Sequence, residues 1–201
     1  MIRCLLIESL LSAAALSISA GALAGPIVQD TQNSTIQVKF YSPIGQSFTA
    51  EDSTTTFSLF ISPLSGSVPL SDLHFRLLGG EGLGGSLLLD QTLSPALGLS
   101  GYFDFDISPI SLTVGGAYTV AVDVPGNSPY WGVGLNGGGN PYAGGRAYYN
   151  NNTPNVLPPE ADSDFRFKLT PTAAVVPEPG TLALLAIGLA GLGYSRRKLK
   201  R

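Results

Sequence analysis

Tyr102-Phe103-Asp104-Phe105-Asp106-Ile107 is the stretch on which the fold turns, because its apolar residues at 103, 105 and 107 alternate with carboxylates at 104 and 106. A period of two places Phe103, Phe105 and Ile107 on one face of an extended strand and both acids on the other. The same alternation returns in Tyr118, Val120, Val122 and Val124 against Thr119, Ala121 and Asp123, and in Phe165, Phe167 and Leu169 against Arg166 and Lys168. Each of these segments should have one wet face and one buried face. Further strands are expected at 35–40, 57–61, 73–78, 87–93, 130–135 and 146–149, set apart by clusters of Gly, Pro, Ser and Asn. Nine short strands with no amphipathic helix between them predict an all-β chain folded as an antiparallel β-sandwich.

Charge narrows what such a body can bind. Between Gly25 and Glu178 there are five basic residues (Lys39, Arg76, Arg146, Arg166 and Lys168) against thirteen acidic ones, a net charge of −8 that the whole-chain value of −3 conceals. So few dispersed cations cannot assemble a phosphate-binding stripe, so nucleic acid is excluded as a partner, and anionic lipid with it. The one cysteine, Cys4, lies in an N-terminal segment expected to be removed, which leaves the body without disulfides, thiolate metal sites or cysteine nucleophiles.

The candidate chemistry is thin. Gly80-Glu81-Gly82-Leu83-Gly84-Gly85 satisfies the dinucleotide-binding spacing, but Leu87, Leu88, Leu89 and Pro95 follow it with a short strand and a break. The mechanism needs a helix N-terminus there to hold a pyrophosphate, so a hairpin loop is expected instead. His74 is the sole histidine and alternates with Leu73 and Phe75, which points it to solvent, and Gly98-Leu99-Ser100-Gly101-Tyr102 fails as a nucleophile elbow at its last position. Asp104 and Asp106 share a strand face, and Glu160, Asp162 and Asp164 lie near the last strand, so carboxylate oxygens could hold Ca2+; alternating acids also keep an exposed face soluble, and no cofactor is required. The richest loop region runs from Asn127 to Asn152, where Tyr130, Trp131, Tyr142 and Arg146 stand among asparagines and glycines. Aromatic faces with amide and guanidinium donors are what a sugar ring needs, so these four are candidate glycan contacts, although Trp131, Tyr148 and Tyr149 fall in or near expected strands and would then be core.

Both ends of the chain read as addresses. Residues 1–24 form a signal peptide: Arg3, an apolar run from Leu10 to Leu23, and the small-x-small triplet Ala22-Leu23-Ala24, with cleavage after Ala24 or, as the alternative, after Ala22. At the other end Pro177-Glu178-Pro179 precedes an uncharged apolar run at 181–194, which is followed by Arg196, Arg197, Lys198, Lys200 and Arg201. Grease ahead of a basic plug is a stop-transfer arrangement, since positive flanks stay cytoplasmic. Fourteen helical residues reach only about 21 Å against about 30 Å of hydrocarbon, and Ala183, Ala186, Gly188, Ala190, Gly191 and Gly193 make a thin helix suited to packing inside another membrane protein. The two prolines hold Glu178 extended and accessible.

This three-part tail resembles the PEP-CTERM sorting signal of exported proteins of Gram-negative bacteria, Val176-Pro177-Glu178-Pro179 followed by Leu, Ala, Gly and Ile matching it in order. The resemblance implies a transient stay in the inner membrane through 181–194, processing near Pro-Glu-Pro by a membrane-embedded exosortase, and release or transfer to the cell surface beside exopolysaccharide. A second resemblance covers about 40–170, where Gly45-Gln46-Ser47-Phe48-Thr49, Asp104 and Phe105 ahead of the Leu112 to Tyr118 turn, and Asp164-Phe165-Arg166-Phe167 are similar to a jelly-roll domain found in PEP-CTERM proteins. It implies a shape like that of carbohydrate-binding modules, and brings no site residues with it.

The expected organisation is therefore a signal peptide at 1–24, a lead-in at 25–39, a jelly-roll-like sandwich at 40–170, a linker at 171–176 and the sorting signal at 177–201, with a signal helix and a transmembrane sorting helix flanking the sandwich. The expected function is a non-enzymatic structural or adhesive protein of the cell surface or extracellular matrix. The alternatives are a carbohydrate-binding-module-like protein that uses the loop aromatics, and a polysaccharide hydrolase.

Overall fold

The structure, a computed structural model, describes residues 24–64, 72–94, 100–125, 131–149, 153–154 and 163–172. In chain order the elements are β1 (Ile27–Gln29), β2 (Ser34–Gln37), α1 (Val38–Tyr41), β3 (Ile44–Thr49), β4 (Thr55–Pro63), β5 (Leu73–Gly79), β6 (Ser86–Leu93), β7 (Gly101–Asp106), β8 (Ala117–Asp123), β9 (Trp131–Gly137), β10 (Ala147–Tyr149), β11 (Thr153–Pro154), β12 (Ser163–Phe165) and β13 (Phe167–Pro171). They form two antiparallel sheets that do not close on each other. One runs β1-β13-β4-β9-β12, with β2 also on β9 and β7 also on β4; the other runs β11-β10-β3-β8-β5-β6. Among the described residues no helix is long and apolar enough to cross a membrane.

The alternating strands do what their pattern requires. On β7, Phe105 is buried while Asp104 and Asp106 are exposed, and Ile107 just beyond it is buried too. The sheets meet ring to ring. Phe75 of one lies 5.2 Å from Phe105 of the other, and Phe48 lies 6.0 Å from Phe57, which stacks in turn on Phe167. Trp131, Phe57, Phe75, Phe105 and Phe167 are fully enclosed. Each such side chain contributes roughly 1.5–3 kcal/mol by leaving water, and with no disulfide in the body this burial is what holds the sandwich together.

Four features depart from the sequence reading. The segment at 35–40, expected as one strand, stops at Gln37 and turns through α1, which sinks Val38 into the core and leaves Phe40 73% exposed. Pro43 then disfavours helix at Ser42 and ends the turn. Residues 25–39, expected as a lead-in, supply β1 and β2 to the first sheet, where Ile27 pairs with Leu169 and Ile36 with Val133. The expected strand at 165–169 belongs to two strands that meet at Arg166, whose N–H donates to Gly134 O and whose carbonyl accepts from Phe60 N. Here the chain passes from β9 to β4.

The fourth departure is β3, which sequence periodicity did not mark as a strand because Gly45, Gln46 and Ser47 interrupt its apolar residues. It is nevertheless the inner strand between β8 and β10, and its first five residues are buried. Gln46 tolerates this by bonding across the core: its Nε2 donates to Asp164 Oδ1 at 2.8 Å, and its Oε1 accepts from Phe165 N at 2.8 Å. Buried polar groups are stable only when paired, and this pair ties the two sheets together.

Candidate functional site

The outer face of the second sheet carries the site. On β3, Ile44, Gln46 and Phe48 point inward, so Gly45, Ser47 and Thr49 point outward. The Gly-rich stretch at 80–85 is the β5–β6 hairpin loop, with Gly80 at φ 96° and Gly82 at φ 92°, values that favour glycine. It folds back over β8, where Gly82 N donates to Thr119 Oγ1 and Thr119 Oγ1 donates to Gly80 O. This covering buries Thr119 and Ala121, which alternation had placed in solvent.

A second loop, 138–146, folds over the same face. Gly138 and Gly139 take positive φ, and Asn140 does so at 43°. The loop is pinned at both ends. Tyr142 N donates to the buried Asp164 Oδ2 at 3.0 Å, and Arg146 N donates to Ser47 Oγ at 2.9 Å. Gly145 sits so close to β3 that a Cβ there would overlap the Ser47 carbonyl oxygen.

Between the two loops lies a polar cleft of about 510 Å3, open mouth included, lined by Ser47, Thr49, Glu81, Asn140, Gly144 and Arg146 among others. Glu81 Oε1 accepts from the Tyr148 hydroxyl at 2.5 Å and faces Arg146 Nε at 3.3 Å. Burial, reinforced by the Glu81 carboxylate, pushes the Tyr148 hydroxyl far above the usual phenol range, and burial raises Tyr142 as well. Both remain neutral hydroxyls. The cleft thus offers a carboxylate, a guanidinium and amide and hydroxyl groups, a set suited to hydrogen-bonding a hydroxyl-rich ligand.

The candidate glycan contacts part company here. Arg146 lines the cleft, with its side chain 38% exposed. Tyr142 stands behind it, half-buried, edge-on to Phe167 at 5.2 Å, its hydroxyl accepting from Thr49 N. Trp131 is 0% exposed and packs edge-on against Phe103 in the core, so it offers no face to a sugar. Tyr130 lies outside the described residues.

The carboxylate candidates are engaged locally. Asp104 Oδ1 accepts from Ser58 Oγ at 2.6 Å, and Asp106 Oδ1 from Ser108 N at 3.0 Å; hydrogen bonds from Ser108, first by its side chain and then by its backbone, lower the Asp106 carboxyl. Among the described residues no group of three His, Cys, Asp or Glu is placed to hold a metal ion. Glu160 and Asp162 lie outside them. His74, read as solvated, stands in a charged row on the outer face of the second sheet. Its Nε2 lies 2.5 Å from Asp90 and its Nδ1 3.3 Å from Asp123, which also holds Arg76 at 2.7 Å. Nothing in its sequence neighbours signals this, because both partners come from adjacent strands.

The sorting candidates Pro177, Glu178, Pro179, Arg196, Arg197, Lys198, Lys200 and Arg201, the 181–194 run and Ala22 also lie outside the described residues, and Ala24 is at their edge. A comparison with curated proteins finds no match. The family model of the PEP-CTERM protein-sorting motif matches residues 175–198, a span that takes in Pro177, Glu178 and Pro179, the apolar run and the basic residues up to Lys198. The chain therefore carries a PEP-CTERM protein-sorting motif at 175–198, attached to a β-sandwich body, and is an exported protein sorted by exosortase.

Proposed function

We propose that this protein is displayed on the cell surface or in the extracellular matrix, with a structural or adhesive role beside exopolysaccharide, after an exosortase has processed an inner-membrane-tethered precursor near Pro-Glu-Pro. The observation that carries this reading is the sorting motif at 175–198. The sandwich would be a jelly-roll-like domain, exported by its signal peptide and held by the apolar run only until processing. Replacing Pro177, Glu178 and Pro179 together with alanine should leave an unprocessed, membrane-retained form in cell fractionation. Intact-mass measurement that found Arg201 still on the wild-type surface protein would sink the processing step.

A second reading, of a carbohydrate-binding-module-like protein, is favoured by the polar cleft that gathers Glu81, Asn140 and Arg146. It moves the contact from the loop aromatics to this cleft. Binding to purified exopolysaccharide should then be lost in Arg146→Ala with an unchanged melting temperature. Neither reading assigns turnover. Glycoside cleavage uses two carboxylates across the bond, whereas the cleft lining supplies Glu81, already engaged by Tyr148 and Arg146. Release of reducing ends from polysaccharide by the purified protein would overturn that. No cofactor is needed; a Ca2+ ion at Asp104 and Asp106 would show as a calcium-dependent rise in melting temperature abolished by Asp104→Asn.

A further inference from the structure

The chain enters and leaves the sandwich at one pole. β1 runs antiparallel to β13 with Ile27 opposite Leu169, so Gly25 comes to lie near Pro171, and both line the same cavity. Just past β13, Thr172 N donates to Thr54 O in the 50–54 turn between β3 and β4. That turn is tied to the 107–116 loop, since Ala50 N donates to Gly116 O and Gly115 N donates to Ala50 O. These turns form the pole from which the tail departs.

The polar cleft lies beside the same pole. It is bordered by Ser47, Phe48 and Thr49, the last three residues of β3, by Ala117, the first of β8, and by Glu81 in the β5–β6 loop. Thr49 is paired with Ala117, so the cleft takes the pole ends of both strands. Phe48 lines both the cleft and the cavity that gathers Gly25 and Pro171. Ser47, the cleft residue farthest along β3, stands only three positions from Ala50 in the pole, about 10 Å at strand rise.

The tail limits how far this pole can stand from a membrane. The apolar run begins at Thr181, nine positions beyond Thr172, which gives a reach of at most about 32 Å fully extended, and the interfacial layer of a bilayer occupies about 6 Å of it. We infer that the tail, while it holds the chain in the membrane, keeps the cleft against the bilayer and closed to long polysaccharide chains, and that processing near Pro-Glu-Pro opens it. A long polymer beside an impermeable wall loses conformations and must thread the gap, a cost that its contacts with the cleft have to offset. Removing the tail removes the wall. The inference rests on the reading of the cleft as a glycan site and adds its regulation: retention and capture become successive states, so exopolysaccharide is bound after release and is not tied to the inner membrane.

The test uses the exported chain with its tail intact, purified from a host that lacks exosortase and reconstituted in phosphatidylcholine nanodiscs. It compares wild type with a chain carrying an insert of about thirty Gly and Ser residues after Ala174, which adds about 30 Å of root-mean-square reach and leaves sandwich and tail unaltered. The probe is exopolysaccharide purified from the producing cells. The lengthened chain should bind it at least about tenfold more tightly than wild type, and Arg146→Ala in the lengthened chain should abolish that gain. Equal affinity of the two chains would overturn the masking and leave the cleft's glycan reading standing. A gain that survived Arg146→Ala would overturn it too, by placing the contact elsewhere, and absence of binding in both chains would defeat the glycan reading and the masking with it.

Discussion

Trp131→Ala distinguishes a core residue from a ligand contact more sharply than any other substitution. The indole begins β9, is 0% exposed, and lies edge-on to Phe103 with ring centres 6.2 Å apart. Truncating a large buried aromatic removes its transfer free energy and leaves a cavity, together about 3–5 kcal/mol. For a body of about 150 residues that lowers the melting temperature on the order of 10 °C. Trp131 is the chain's one tryptophan, so the measurement should follow far-UV circular dichroism in urea and in heat, since the variant has no indole emission to read. Arg146→Ala is the matched control. Its ion pair with Glu81 is solvent-facing, with side chains 38% and 51% exposed, and such pairs contribute about 0–1 kcal/mol. A Trp131→Ala protein that melted with wild-type stability but lost glycan binding would refute the packing argument and return the indole to a surface role.

Three further outcomes follow from the same geometry. Asp164→Ala should cost about 1–3 kcal/mol and loosen the 138–146 loop, read as faster amide exchange at Tyr142, because Tyr142 N loses its buried acceptor and Gln46 Nε2 one of its two. Gly145→Ala should lower the denaturation midpoint by more than an exposed-loop substitution would, since its Cβ must displace the Ser47 carbonyl of β3; a neutral effect would mean the loop is free to lift. The third concerns acid. The Tyr102 hydroxyl and then Arg166 hold the Asp30 carboxyl below its ordinary value of 3.8. A depressed folded value gives a stabilisation that is complete above the unfolded value and is lost as pH falls through the folded one. The melting temperature should therefore decline below about pH 4, and Tyr102→Phe should make that decline shallower; an unchanged acid limb would contradict it.

Alternation was clearest in β7 and β13, which have water on one side. β8 was legible too, although Thr119 and Ala121 are buried, because they still alternate as small or polar residues against Val120 and Val122. Alternation records a contrast between two environments, and where the contrast exists the record is clear. β3 was illegible as a strand for the opposite reason. Both of its faces are covered, one by the core and the other by the 80–85 and 138–146 loops, so no contrast was written into Gly45-Gln46-Ser47. The break at Arg166 was hidden too, because Phe165, Arg166 and Phe167 alternate faultlessly while the chain changes partners between them.

By itself the sequence determined the class of the body, its lack of cysteine and its acidity, and it determined the sorting motif at 175–198, since that motif is read by another protein as a linear pattern and needs no fold to be legible. Only the tertiary structure decided which polar groups act together. Glu81 meets Arg146 and Tyr148 across β8 and β3, Gln46 meets Asp164 across the core 118 residues away, and His74 meets Asp90 and Asp123 on neighbouring strands. A β-sandwich brings its contacts together through pairing between strands far apart in sequence, so local pattern can say which way a side chain points and cannot say what it will find there.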